Sequence, residues 1–225
     1  MADDLDVARD LFSRRSWPDA CEAFLSHDSE TPLGVADLER LAIASYLTGR
    51  NAESDDAWAR AYGASLEQGD PASAIRFGFW IAFRMVNAFD RPGANGWVAR
   101  LERLAATLPA ESLEASKLAY LTGLRAVFEG DLERGEADLR LSSEIAEREA
   151  DLEMAAIARL ALGRVLIFRG DLVGGTHLLD EAMLAVMSED MSPIAVGDSY
   201  CTAIDACHDL IDVQRGQAWT DALTK

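Results

Sequence analysis

Leu121-Thr-Gly-Leu-Arg-Ala-Val-Phe-Glu-Gly-Asp-Leu-Glu-Arg-Gly135 and Ala161-Leu-Gly-Arg-Val-Leu-Ile-Phe-Arg-Gly-Asp-Leu-Val-Gly-Gly175 are one pattern written twice. Gly123, Phe128, Gly130, Asp131, Leu132 and Gly135 return as Gly163, Phe168, Gly170, Asp171, Leu172 and Gly175, each 40 positions later. A fixed period of a few tens of residues is the signature of a repeat architecture, in which each unit buries its apolar face against its neighbours. Each copy reads as helix, tight turn, helix. Glu114–Glu129 and Leu152–Arg169 are rich in Ala, Leu and Arg, all strong helix formers. Gly130 and Gly170 suit the left-handed residue that closes a helix, and Asp131 and Asp171 can accept the free amide hydrogens of the next one.

Gly123 and Gly163 fall mid-helix, where each costs roughly 1 kcal/mol against alanine. That cost is tolerable where a missing side chain lets a second helix approach, and Leu139 and Leu179 lie at positions suited to meeting it. A small mid-helix residue facing small and large apolar residues of the next helix resembles the tetratricopeptide repeat (TPR). Further upstream, Ala42 and Trp58 follow Ala8 and Phe24 at a step of 34, the period of that family. The expected fold is all-α, a right-handed solenoid of about six TPR-like helix pairs forming a single domain over residues 1–225.

The helices expected in order are Asp4–Ser13 with Pro18–Ser26, then Asp37–Gly49 with Ala52–Gln68. Asp70-Pro71 can cap and open an apolar helix, Ala72–Asn87, holding Phe77, Phe79, Trp80, Phe83 and Met85. So many large groups around one helix imply burial on more than one side. Arg91-Pro-Gly-Ala-Asn-Gly96 reads as a break, with Gly96–Leu108 as the partner helix. After the repeated copies and a short acidic loop, Ser192-Pro193 opens Ile194–Ile211, followed by Gln214–Thr224. Trp219, Ala222 and Leu223 offer apolar groups without a following polar cap. A fragment, or a chain docking its end on a partner, is expected, including a possible homodimer through the C-terminal helix.

Composition excludes several functions. The formal net charge is −18 with a Met1-Ala-Asp-Asp start. Phosphate neutralisation needs Lys and Arg, so direct nucleic-acid binding by this segment is not expected. Neither a membrane-length apolar run nor a signal peptide is visible, so the expected location is cytoplasmic. Cys21, Cys201 and Cys207 have neither zinc spacing nor a disulfide framework and read as reduced, buried thiols.

Leu178-Leu-Asp-Glu-Ala-Met183, Ser192-Pro-Ile194, Tyr200-Cys201, Ile204-Asp-Ala-Cys207 and Trp219-Thr-Asp-Ala-Leu-Thr224 carry a closer likeness. With Leu38-Glu-Arg-Leu-Ala-Ile-Ala-Ser-Tyr46, they resemble the helical-repeat region of bacterial LuxR-type transcriptional regulators. The resemblance implies a sensing or assembly module. A basic helix-turn-helix and a GxxxxGK[ST] phosphate loop are both missing, so DNA binding and nucleotide hydrolysis are not carried over.

In TPR arrays the first helix of each pair lines the concave face. That register selects Tyr46, Phe79, Tyr120, Phe128, Arg164, Phe168 and Asp205 as ligand or partner contacts, aromatic anchors with a few charges. Such a surface suits a peptide, a partner helix or an apolar small molecule. The competing reading is that these aromatics simply pack between repeats. No catalytic motif is present, and no cofactor or metal is expected. Cys201, Asp205 and His208 share a helix face at i, i+4 and i+7 but lack a fourth ligand. The alternative function is a helical enzyme or a small-molecule cavity protein with an aromatic-lined site.

Overall fold

The computed structural model describes residues 4–109, 112–188 and 191–223. Among them the regular structure is twelve α-helices without a strand. In chain order they are α1 (Asp4–Ser13), α2 (Trp17–Glu30), α3 (Val35–Leu47), α4 (Asn51–Glu67), α5 (Pro71–Asn87) and α6 (Arg91–Ala105). Then follow α7 (Leu113–Glu129), α8 (Leu132–Arg148), α9 (Leu152–Phe168), α10 (Leu172–Ser188), α11 (Pro193–Leu210) and α12 (Val213–Leu223). Odd and even helices form consecutive packed pairs, and first helices also touch within a unit: α1 with α3, α7 with α9, α9 with α11. The all-α helical-repeat architecture is the one expected. The chain divides into two compact units, Met1–Leu108 and Pro109–Lys225.

In unit 1, aromatic side chains fill the core. Phe24, Phe77, Phe79 and Phe83 are fully buried. The Phe79 ring lies 5.1 Å from Trp80 and 5.8 Å from Phe83, and Trp58 tilts against Phe77 at 5.7 Å. The helix starts follow cap chemistry: Asp70 accepts from the Ser73 amide at 3.0 Å, satisfying a donor that the helix leaves free. The expected break at Arg91–Gly96 is corrected in the same way. Asp90 accepts from the Gly93 amide at 3.1 Å, and α6 begins at Arg91 with Pro92 in its first turn. Proline costs nothing there because that amide has no helical partner. A strong cap outweighs the Pro and Gly that read as a loop.

Arginine–carboxylate bridges join successive pairs of unit 1. Asp37 accepts from Arg9 Nε at 3.0 Å, from Arg9 Nη2 at 2.7 Å and from Arg40 Nη1 at 2.7 Å. Arg60 grips Asp28 at 2.5 and 2.7 Å, and Arg84 holds Asp55 with its Nε at 2.5 Å. Arg76 reaches Glu39, and Arg50 reaches Glu22. Arg9 holds the Asp37 carboxyl below its ordinary range, and Arg60 does the same for Asp28.

Unit 2 is stitched by small residues. Gly130 and Gly170 take φ values of +89° and +93°, the left-handed region that glycine enters without steric cost. Asp131, Asp151, Asp171 and Asp212 cap the helices that follow them. A Cβ on Gly123 would fall 2.8 Å from Leu139 Cγ, and one on Gly163 would fall 2.9 Å from the Gly175 carbonyl oxygen. The mid-helix glycines therefore mark the close helix approach that their position implied. Leu139 and Leu179 are buried there. Ser116 adds a buried bond, donating to the Ser142 carbonyl at 2.8 Å.

Candidate functional site

The first helices of unit 2 carry three rows of equivalent residues, each row stepping by the 40-residue period. Tyr120, Leu160 and Tyr200 form the innermost row and are buried. Burial pushes the Tyr120 phenol well above its usual value. Leu124, Arg164 and Ile204 form a half-buried row. Phe128, Phe168 and His208 form the outermost row; Phe128 is 42% exposed and Phe168 49%. Helical spacing of four places the rows on one face, running from core to surface toward each helix's C-terminal end.

Arg164 sits at the crossing of α9 and α11. Its Nη2 donates to Asp209 Oδ2 at 3.1 Å, its Nη1 lies 3.7 Å from Asp205 Oδ2, and its guanidinium lies 5.5 Å from the Phe168 ring centroid. Its Nε is buried and has no hydrogen-bond partner among the described residues. The geometry brings Arg164, Phe168 and Asp205 together and adds Asp209, which sequence reasoning missed. The signal was faint, since Arg164 and Asp209 are 45 positions apart.

Phe79 is 1% exposed and Tyr120 4%, so neither presents a ring to solvent in this conformation. Both are enclosed by neighbouring helices, as the competing packing reading anticipates. Tyr46 is half-buried near the end of α3 in unit 1. Cys201 is corrected from a buried to an exposed thiol, while Cys21 and Cys207 are buried. Among the described residues, no group of His, Cys, Asp and Glu could hold a metal ion.

A charged cluster that the sequence did not reveal lies at the opposite end of these helices. Lys117 Nζ donates to Asp151 Oδ2 at 3.1 Å, and the Ser192 amide donates to Glu153 Oε2 at 2.8 Å. Burial raises the Glu153 carboxyl above its ordinary value, and Asp151 adds to the shift. These bonds tie the starts of α7, α9 and α11 together.

No protein-family model matches the chain, and no curated protein matches it by sequence. Solved structures do match. Rap protein, crystallised in complex with Competence and Sporulation Factor, superposes with a TM-score of 0.63 at 13% identity, over 96% of this chain and 72% of that one. BtubC (BKLC) from P. vanneervenii superposes with a TM-score of 0.55 at 15% identity, over 94% of this chain and 89% of that one. At these identities the likeness establishes the helical-repeat fold. No helix among the described residues is long and apolar enough to cross a membrane.

Proposed function

We propose that the chain is a non-catalytic sensing or protein-interaction module that takes a peptide, a partner helix or a small molecule against the first-helix face of unit 2. The observation that carries this reading is the exposure of Phe128 and Phe168 at one register of successive repeats. Large aromatic rings left half in water at equivalent positions are suited to a contact surface, since stability alone would bury them. Tyr120 underlies that face. The Arg164 clip to Asp205 and Asp209 sets α9 against α11 beside the Phe168 ring. Tyr46 is proposed as a separate contact on unit 1, and Phe79 as the packed support of that unit's first helices.

Rap protein is a fold neighbour seen with a bound factor, which fits a binding role for this architecture. The resemblance to the repeat region of LuxR-type regulators gives the role its setting, a cytoplasmic module whose occupancy is passed on to a regulator.

Native mass spectrometry of the purified chain tests the reading. A co-purifying molecule is expected on the wild-type protein and is expected to be lost from Phe128→Ala/Phe168→Ala, with the fold intact by circular dichroism. Equal occupancy of the two proteins would show that the bound molecule sits elsewhere.

A further inference from the structure

The third helix pair reverses the charge of the chain. Residues 71–105, which hold α5 and α6, carry five arginines against one aspartate and one glutamate, whereas the whole chain has 21 Lys and Arg against 39 Asp and Glu. Two of these arginines serve the fold, Arg76 bridged to Glu39 and Arg84 to Asp55. Arg100 and Arg103 are exposed, and among the described residues neither has a carboxylate within ion-pair distance. They stand three positions apart on α6, so they share a face. Glu102 is two positions from Arg100 and lies on another face of the helix. Asp90, the carboxylate at the start of α6, is engaged in accepting from the Gly93 amide at 3.1 Å.

Arg100 stands beside a groove of about 280 Å³, lined otherwise by Met85, Pro92, Gly93, Gly96 and Trp97. Its guanidinium lies 4.9 Å from the Trp97 ring centroid and 5.8 Å from that of Tyr62. The Trp97 ring meets Tyr62 edge-on at 5.1 Å. Gly78 leaves room for that pair, since a Cβ there would fall 3.4 Å from each ring. A guanidinium lying on rings keeps its N–H donors, which lie in its own plane, for a carboxylate. Gly96 leaves the groove open, for a Cβ there meets nothing within 4 Å.

The turn joining the two helices adds a ring. Gly49, Gly130 and Gly170 supply the left-handed residue at the equivalent turns, but here it is Phe89, with φ +57°. That region is a steric outlier for a bulky side chain, and Phe89 recovers little of the cost by burial, being 75% exposed. Folding favours glycine at 89 on both counts. Phe89 lies between the groove residues Met85 and Pro92 in the chain, where a bound segment would meet it.

Charge and size choose the occupant. The groove falls below the range of roughly 300–1,000 Å³ that encloses whole small molecules, and suits a single side chain. We infer that the α5–α6 groove docks an acidic segment of a partner protein. One aliphatic or aromatic side chain enters between Met85, Pro92 and Trp97, and a neighbouring Asp or Glu carboxylate accepts from Arg100, with Arg103 continuing the positive face. The net charge of −18 does not forbid this. Fields between exposed charges fade over about 8 Å at physiological ionic strength, so the local sign of the α5–α6 pair governs. This surface belongs to unit 1 and does not rest on the Phe128 and Phe168 reading.

The test uses the whole chain and a labelled synthetic peptide of leucine and glutamate, read by fluorescence anisotropy. The same peptide with glutamine for glutamate is the control. The Leu/Glu peptide is expected to bind, and the Leu/Gln peptide at least about tenfold more weakly, through loss of the charge-assisted bonds. Arg100→Gln/Arg103→Gln is expected to weaken the Leu/Glu peptide by a similar factor and leave the Leu/Gln peptide unchanged. A general loss of structure would weaken both. Gly96→Leu is expected to fill the groove and abolish binding while the melting temperature holds or rises, because leucine is the better helix former. Phe89→Gly is expected to weaken binding with no loss of thermal stability, since the turn is relieved of strain. Phe128→Ala/Phe168→Ala is expected to leave binding unchanged. Four results would overturn the inference: no binding of the Leu/Glu peptide, equal binding of the Leu/Gln peptide, binding insensitive to Arg100→Gln/Arg103→Gln, and binding that survives Gly96→Leu. Vesicles of phosphatidylcholine with phosphatidylserine that displaced the peptide and were held through Arg100 and Arg103 would assign the groove to a membrane instead.

Discussion

Unit 1 and unit 2 build the same succession of helix pairs by different means. In unit 1, large rings fill the space between helices and arginines reach from one pair to the next, as Arg9 does to Asp37 and Arg60 to Asp28. Unit 2 has such bridges too, from Arg164 to Asp209 and from Arg215 to Asp180, but there glycines bring the helices of a pair almost into backbone contact, and the rings of Phe128 and Phe168 are left at the surface. The difference shows what an aromatic residue does in a repeat. In the middle of a first helix it is enclosed, as Phe79 and Tyr120 are, and in the last turn it stays at the surface, as Phe128 and Phe168 do. Apart from Phe89, which is 75% exposed, unit 1 spends its aromatic residues on packing, while unit 2 leaves two rings half exposed at one register of successive repeats.

The largest expected effect is on that contrast itself. Phe79→Ala should cost about 3–5 kcal/mol in urea denaturation, as for a fully enclosed phenylalanine. Phe168→Ala should stay within about 0.5–1 kcal/mol. Similar costs at the two positions would erase the distinction. Next come the glycines. A Cβ on Gly175 would sit 2.5 Å from the Gly163 carbonyl oxygen and 3.1 Å from the Ile167 amide nitrogen, both backbone atoms. Gly175→Ala should therefore destabilise by about 1–3 kcal/mol. Gly63 in unit 1 has nothing within 4 Å, so Gly63→Ala should stabilise α4 by about 0.5–1 kcal/mol. A neutral Gly175→Ala would mean that the helices of unit 2 can separate cheaply.

The bridges of unit 1 sharpen the comparison at smaller scale. Asp37→Asn leaves Arg9 and Arg40 without their charged acceptor and should cost about 1–3 kcal/mol by thermal or chemical denaturation. The last expectation concerns pH, and here the units should have opposite signs. The lowered Asp37 and Asp28 groups contribute stability that is present above the ordinary aspartate value of 3.8 and is lost as the pH falls through their folded values. Glu153 is raised, so between its ordinary value of 4.5 and its folded value the native state holds the extra proton. Its contribution is greatest below 4.5 and declines as the pH rises through that window. Glu153→Gln should flatten the decline without touching the acid limb, and an unchanged slope would assign it to another group. Unfolding free energy measured across pH for wild type, Asp37→Asn and Glu153→Gln separates the two limbs.

The features legible in the sequence were those whose chemistry is local. Gly130 before Asp131, and Gly170 before Asp171, announce a left-handed closure and a cap within two adjacent residues. The repeat at 40 positions then fixes their spacing. The misreading at Arg91–Gly96 came from weighing Pro92, Gly93 and Gly96 as loop formers while Asp90, one residue earlier, was already capping the helix. The bridges were out of reach because their partners lie 28 to 37 positions apart in unit 1, and any of the many carboxylates could have served. Phe79 and Phe168 could not be told apart either. Both are aromatics on a first helix, and what separates them is their place along it, Phe79 in the middle of α5 and Phe168 at the end of α9. The Phe128, Phe168 and His208 row is visible once the period is applied to the third copy, but its exposure is not.

The matched surroundings of Gly123 and Gly163 make the two repeats interchangeable parts. Excising residues 124–163 would join Gly123 directly to Arg164 inside a single helix. The glycine would then face Gly175 and Leu179, which stand where Gly135 and Leu139 stood, and Ile167 would replace Val127 against the facing glycine. Unequal crossing-over between the two gene segments would produce that deletion, and its reciprocal product would carry an extra unit. A lineage of such chains can therefore lengthen or shorten its array by whole repeats, adding or removing a surface ring each time, without having to invent a new joint.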